Sequence, residues 1–322
     1  MEVYPIKFTP ILKERLWGGN KLGTLLGKPI EGENVGESWE LSGVPGDVSH
    51  VANGPYRGRT LDELIAENPE ALLGKAVLER FGTEFPILIK FIDARQDLSI
   101  QLHPGDELAR KRHNSFGKTE MWYVMEAAPG AELIIGFNRD VSREAYQEAL
   151  ASGRLLELLH YEPVGEGDTF FINSGKIHAI GGGILLAEIQ QSSDVTYRVY
   201  DFERRDAGGN LRELHTDQAL DAMDYRKRDD FKIEYSRKKN TPTPMVDSTY
   251  FKTSYLELDA SLKREFRTAD SFRVYVCVGG SATLESGEHT VSIRKGETAL
   301  IPAAARELRI VTGDCRLLEV TL

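Results

Sequence analysis

Cysteine is almost missing. The 322 residues include two, Cys277 and Cys315. They lie far apart and lack metal-binding spacing, so neither a disulfide framework nor a thiolate metal site is expected. The plain reading is two free core thiols in a cytosolic protein. No run of about 18 apolar residues occurs, which leaves no candidate for a membrane-spanning helix. The opening stretch Met1–Gly19 has no long apolar segment, so no secretory signal is expected. Positive charge is not in excess: 40 Lys and Arg stand against 50 Asp and Glu, a net charge of −10. Such a chain is a poor general partner for nucleic acid or an anionic membrane. Any phosphate it takes must be held by a few placed cations. No Gly-x-Ser-x-Gly elbow supports a serine nucleophile. Gly181–Gly183 does not join a strand to a helix, so it is a turn rather than a phosphate cradle. Apolar residues are plentiful at 41%, which excludes disorder as the main state, and the length suggests two domains.

Strand signals dominate what is present. Short apolar or alternating runs bounded by Gly, Pro and Asp predict strands at 86–93, 97–103, 121–126, 168–173 and 195–202. Later runs at 250–259, 271–278, 289–294 and 297–301 predict more. Three helices are expected. One starts at Thr60, with Glu63 completing a capping box. A second runs from Ser142 through Leu159, and a third from Thr216 to about Tyr225. Strands in runs with helices set apart argue for a β-rich architecture rather than repeated βαβ units. The charged stretch 226–244 ends in two prolines and reads as a connector. A faint repeat aligns Gly167–Ser174 with Gly296–Ala303. His178 follows the first copy at an offset that lands on Glu307 in the second.

Asp97–Pro104 is the most informative segment. In a strand, Ser99, Gln101 and His103 share one face while Leu98, Ile100 and Leu102 take the other. That polar stripe is either a solvent face or the lining of a cavity. Glu120 sits at the start of the apolar strand Met121–Val124, and His178 is a lone imidazole in an apolar, glycine-bounded stretch. Two His, one Glu and one Gln with no thiolate are plausible ligands for Zn²⁺ and similar ions. His50, His113, His160, His215 and His289 have no metal-like neighbours and read as surface or capping residues.

Together, several motifs resemble class I mannose-6-phosphate isomerases, most closely their short bacterial form. They are Ser99-x-Gln101-x-His103-Pro104, Lys118-x-Glu120-Met121, His178-Ala179 and Gln191-x-Ser193-Asp194-x-Thr196-Tyr197-Arg198. Arg15-Leu16-Trp17-Gly18 and Gly36-Glu37-Ser38-Trp39-Glu40 extend the resemblance over nearly the whole chain. It implies a mainly β fold of two cupin-type double-stranded β-helix barrels, with helical additions to the first. The expected division is a catalytic domain over 1–235 and a metal-free cupin-like domain over 236–322. It implies one Zn²⁺ per chain on Gln101, His103, Glu120 and His178, and interconversion of mannose 6-phosphate and fructose 6-phosphate in the cytoplasm. Arg198, Lys118 and Glu188 are the implied catalytic residues; Lys90, Ser99 and Asp194 the implied substrate-binding ones. The sequence departs from the family pattern at Asn173-Ser174-Gly175-Lys176, where a proline-bearing turn is common. It departs again at Gly117, where longer members often carry histidine.

Aldose–ketose isomerisation moves a proton between C1 and C2 through an enediol, so it needs a base and a stabiliser of negative charge. Arg198 suits either the enediolate or the phosphate. Lys90 lies in the apolar run Ile87–Ile92, so either its stem snorkels or its charge meets an anion. Lys118, with a pKa lowered by burial near a metal, and Glu188 both qualify as base. Glu188 could instead be a structural carboxylate paired with Arg198. Two rival functions stand beside this one: another hexose-6-phosphate isomerase, separable by substrate, and a non-catalytic sugar-binding cupin, separable by metal content and turnover.

Overall fold

In the computed structural model of the chain, which describes residues 1–206 and 208–322, the fold is mainly β and cupin-like. Three antiparallel sheets carry it. The first orders its strands as Ile11–Gly19, Val35–Leu41, Ile87–Ala94, Ile184–Gln191, Glu120–Ala127 and Thr169–Ile172. The second runs Tyr197–Tyr200, Ile100–Leu102, His178–Ile180, Glu132–Phe137 and Leu159–Pro163. The third is built wholly from residues 243–321, around the long pair Arg273–Ser286 and Glu307–Thr321.

Side-chain alternation decides what each face meets. Along Ile87–Ala94, Ile87, Ile89 and Phe91 point one way. They join Met121, Tyr123, Leu185, Ala187 and Ile189 from neighbouring strands. This face packs against Leu61, Leu64, Leu72 and Val77 of the helical insertion, and against Val274, Val276, Leu318 and Val320 of the third sheet. One apolar core thus runs from the first barrel into the second. The opposite face sends Ile92, Ala94, Trp122, Val124 and Leu186 against Leu133, Ile135 and Ile180 of the second sheet. Polar residues at the remaining inward positions are therefore enclosed between two sheets.

The expected helix starts are present. Thr60 accepts from the Glu63 amide while the Glu63 carboxylate accepts from the Thr60 amide, and Ser142 caps Arg143–Ala151. The Ser142 helix is shorter than its periodicity predicts. Gly153, at φ 71°, breaks it, and Leu155–Leu158 continues as a 3₁₀ turn. The third helix ends at Ala222. The strand predicted over 97–103 is regular only at Ile100–Leu102. The charged stretch 226–244 is not a free connector: Phe231 and Ile233 exchange backbone hydrogen bonds with the strand Thr169–Ile172. The two copies of the faint repeat share their local form. Gly167 and Gly296 have φ of 88° and 87°, and each precedes a four-residue strand. His178 and Glu307 each open the strand that follows. Glu307 is exposed and pairs with Lys263 at 2.9 Å.

Candidate active site

Two rows of side chains face each other across the first barrel. In the first sheet, register places Trp39 beside Lys90, Lys90 beside Glu188, and Glu188 beside Trp122. In the second, Arg198 lies beside Gln101 and Gln101 beside His178. The antiparallel pairs put each row on one face, and the rows line a cavity of about 440 Å³. All three tryptophans of the chain, Trp17, Trp39 and Trp122, line it.

His103, Glu120 and His178 converge at one end. Each is 1% exposed, and their ligand atoms lie within 4.8 Å of one another. Glu120 Oε2 is 3.6 Å from His103 Nε2, and Oε1 is 3.5 Å from His178 Nε2. The histidine tautomers are set from behind. His103 Nδ1 donates to the Val195 carbonyl at 2.9 Å and His178 Nδ1 to the Lys176 carbonyl at 2.8 Å. Both Nε2 lone pairs therefore point at the carboxylate. Among the described residues neither Nε2 has a hydrogen-bond partner, and Glu120 Oε2 has only the Lys118 ammonium beside it. Buried polar atoms are rarely left unpartnered, and neutral imidazoles beside a carboxylate fit a divalent cation. Burial and the Lys118 charge hold His103 well below the usual imidazole range. His178 is lowered to about 4, chiefly by burial. Both thus keep the neutral form a metal requires. Gln101 shares their cavity, its Oε1 accepting from Ser99 Oγ at 3.3 Å.

The remaining charges come in pairs. Lys90 lies 3.2 Å from Glu188 Oε1 and over the Trp39 ring. Lys118 lies 3.2 Å from Glu120 Oε2. Arg15 grips Glu37 with Nε at 2.9 Å and Nη2 at 3.2 Å, Lys13 pairs with Asp47, and Arg212 holds Asp201. Burial raises the Glu37 pKa, but Lys90 and Arg15 outweigh it and bring the carboxyl to about 2. Burial likewise opposes ionisation of Glu188; Lys90, Lys118 and the Trp122 Nε1–H bond at 2.9 Å still hold it below the ordinary range. The expected lowering of Lys118 is not found. Burial pulls it down, but Glu120 and Glu188 more than compensate and raise it.

Arg198 is the exception. Among the described residues, it alone of the cavity-lining cations has no carboxylate within ion-pair distance. Its Nη1 donates to the Glu213 carbonyl at 2.8 Å and its Nε to Ser99 Oγ at 3.3 Å. Glu188 therefore pairs with Lys90, not Arg198, because register puts Lys90 directly opposite. Thr196 and Arg198 line the cavity together, but Tyr200 does not share their face. A register shift after Arg198 turns it toward the apolar cluster around Tyr146. Leu98 lines the cavity rather than joining Ile100 and Leu102 behind the strand. Asp194 is exposed at the cavity rim.

Residues without a role in the sequence reading also appear here: Lys13, Asp47, Arg212 and the aromatic walls. The alternations Lys13-x-Arg15-x-Trp17 and Glu37-x-Trp39 were the available signals. His215, read as surface or capping, braces the arginine: its Nδ1 accepts from the Arg198 amide at 3.2 Å.

Comparison with known proteins agrees with this arrangement. The family model "Phosphomannose isomerase type I, catalytic domain" matches residues 6–130, and "Mannose-6-phosphate isomerase, cupin domain" matches 241–322. The mannose-6-phosphate isomerase of Streptococcus mutans is 38% identical over 315 residues, covering 98% of this chain and 97% of its own. Mannose-6-phosphate isomerase ManA of Bacillus subtilis is 36% identical, covering 96% of each. The crystal structure of a mannose 6-phosphate isomerase from B. subtilis superposes with a TM-score of 0.91 at 33% identity over all of both chains. With the motifs, the barrel and the enclosed His–Glu–His cluster in place, the chain belongs to the mannose-6-phosphate isomerase family.

Proposed function

We propose that the chain interconverts mannose 6-phosphate and fructose 6-phosphate through an enediol, as a cytoplasmic enzyme with one Zn²⁺ held by Gln101, His103, Glu120 and His178. The observation carrying this reading is the pair of unpartnered imidazole nitrogens, His103 Nε2 and His178 Nε2, converging on the Glu120 carboxylate beside a cavity rich in paired charges. A bound divalent ion would supply Lewis-acid polarisation of a substrate oxygen. Glu188 is the proposed base. Trp122 fixes Oε2, whereas Oε1 has only Lys90 nearby and no hydrogen bond. Its ionised form is the one that takes a proton. Lys118 and Lys90 keep it ionised, and Lys118 in its charged form donates to substrate oxygens. Arg198, oriented by Glu213 and Ser99, meets the charge that develops on the enediolate. Ser99, Lys90 and the rim residue Asp194 hold the sugar phosphate. Residues 236–322 act as a metal-free second barrel that buttresses the first through the shared core.

The test is turnover of mannose 6-phosphate against glucose 6-phosphate, with metal content measured on the same sample. Activity on mannose 6-phosphate, lost on chelation and regained with Zn²⁺, is expected. Turnover of glucose 6-phosphate alone would point to the rival hexose isomerase. About one bound metal without any turnover would point to a sugar-binding cupin.

A further inference from the structure

The only two cysteines of the chain meet in the core of the second barrel, well away from the site above. Cys277 and Cys315 are 38 residues apart, both fully buried, and their sulfurs lie 3.8 Å from each other. They belong to the adjacent strands Arg273–Ser286 and Glu307–Thr321. We propose that this pair is a site of reversible covalent modification, closing into an intramolecular disulfide when the protein meets a small-molecule disulfide oxidant.

The backbone around the pair is specialised. Cys277 is registered opposite Leu317, and Gly280 opposite Cys315, with a register shift between Cys277 and Gly279. Cys315 and Leu317 share a face, so Cys277 meets Cys315 on the diagonal. Within the shift glycine is required at Gly280. A Cβ on Gly280, which has φ of 65°, would lie 2.2 Å from the Asp314 carbonyl oxygen; one on Gly279 would lie 2.4 Å from the Arg316 guanidinium. The two strands are thus drawn close beside the sulfurs. The Cys277 thiol has the carbonyls of Gly279 and Gly280 at 3.4 and 3.6 Å as its other polar contacts. The surroundings are otherwise apolar, including Leu317, Ile310 and Ala282. Bond formation needs an approach from 3.8 Å to about 2.05 Å, a shift the two side chains and the bulged strand share.

The chemistry balances as a thiol–disulfide exchange. One cysteine thiolate attacks the oxidant's S–S bond, forming a mixed disulfide and releasing one thiol. The second cysteine attacks the mixed disulfide at the protein sulfur and releases the other. The oxidant's S–S bond is exchanged for the protein's: two electrons and the two thiol protons pass to the oxidant's sulfurs, which leave as two thiols. The neighbouring thiol and burial both raise the Cys315 thiol far above its ordinary range, so it stays protonated and slow in the closed barrel. The first attack therefore needs a local opening of the two strands at the register shift beside Cys277. The packed core has no room for a mixed disulfide, so both thiols disappear together. No residue lining the first cavity comes from the second barrel, so the bridge leaves the catalytic site untouched.

The experiment treats the full-length protein with oxidised glutathione below its melting temperature. Free thiols are counted after denaturation, and the cross-link is located by peptide mapping. The expected result is two thiols falling to none in one step, a linked Cys277–Cys315 peptide in a monomeric chain, and unchanged isomerase turnover. The closed loop of roughly 40 residues should raise Tm by on the order of 5 °C. Cys277→Ser and Cys315→Ser separately should each abolish the shift in Tm. Two titratable thiols after prolonged oxidation, cross-linked dimers, a stable glutathione adduct, or a bridge that lowers Tm would each overturn the proposal.

Discussion

Removing Arg198 separates two chemical roles that the geometry assigns to one guanidinium. Arg198→Ala deletes the cavity cation that has no carboxylate partner, leaving Ser99 Oγ and the Glu213 carbonyl without their donor. If the guanidinium faces charge that builds only in the transition state, its effect can be sized. A full charge about 4 Å away at an effective dielectric near 20 is worth about 4 kcal/mol; for charge half developed the gain is about 2 kcal/mol. Strengthening of the accompanying hydrogen bonds adds about 1 kcal/mol. A total of about 3 kcal/mol corresponds to a loss of roughly 10²-fold in kcat, matching what deletion of an oxyanion donor costs elsewhere. kcat and kcat/KM should fall together while KM hardly moves. Arg198→Lys keeps the charge but cannot reach Ser99 and Glu213 with one planar fork, so it should recover only part of the loss. Steady-state kinetics with metal content measured in parallel is the assay; zinc should remain, since Arg198 is no ligand. A variant with unchanged kcat and a raised KM would refute the enediolate role and leave a phosphate grip in its place.

Three further outcomes are expected. Glu120→Gln removes the one anionic ligand, so bound metal should fall well below one per chain, with an activity loss beyond the roughly 10–100-fold of changes behind a ligand; normal stoichiometry and turnover would make Glu120 merely structural. Trp122→Phe keeps the ring but deletes the N–H bond to Glu188 Oε2. kcat should drop about tenfold and the acid limb of the pH profile should move upward, whereas an unshifted profile would deny Trp122 any part in setting the base. In metal-free protein, His178 is lowered from 6.5 to about 4 by burial, so the unfolded state binds its proton first. Its stabilising contribution is complete above pH 6.5 and lost as pH falls toward 4, by about 3 kcal/mol. The stability advantage of wild type over His178→Asn in urea should shrink by that amount across the window. An advantage that is constant or grows would contradict the burial argument.

The lined cavity was legible in the sequence as far as period-2 alternation reaches. Alternation put Ser99 and Gln101 on one face and left that face open between solvent and cavity; Lys90 stood out in an apolar run, whereas Glu188 was reached only through the family resemblance, because the strand Ile184–Gln191 was not foreseen. What alternation cannot supply is register. The partnership of Lys90 with Glu188 depends on which residue of Ile184–Gln191 lies opposite, a choice made by packing of whole sheets. The same reason hid the change of face at Tyr200, where one extra residue in the ladder breaks the period. Helix lengths failed for a local reason. The apolar spacing after Ser142 continues past Ala151, but Gly153 adopts a positive φ and ends the helix before the pattern does. His215 was invisible because bracing an arginine backbone leaves no motif.

The pairing of charges also bears on the proposed cation. Six basic side chains line it: Lys13, Arg15, Lys90, Lys118, Arg198 and Arg212. Glu37, Asp47, Glu188 and Asp194 line it too, with Glu120 and Asp201 held against their basic partners. Most of these charges are therefore compensated within pairs, and among the described residues Arg198 is the lining cation without a carboxylate beside it. Buried pairs of this kind are held by their own desolvation: separating Lys90 from Glu188 to serve a ligand would strand a charge in a low dielectric. In its proposed role Lys90 therefore meets the sugar phosphate while still paired with Glu188, whose ionised form it favours. A divalent ion among His103, Glu120 and His178 would add two positive charges to the site. Arg198, at its edge, would remain the one basic group free to answer a new negative charge. On this account, the orphaned ligand atoms and the unpartnered arginine are two halves of one electrostatic design, and removing the metal should weaken binding of a sugar phosphate as well as its conversion.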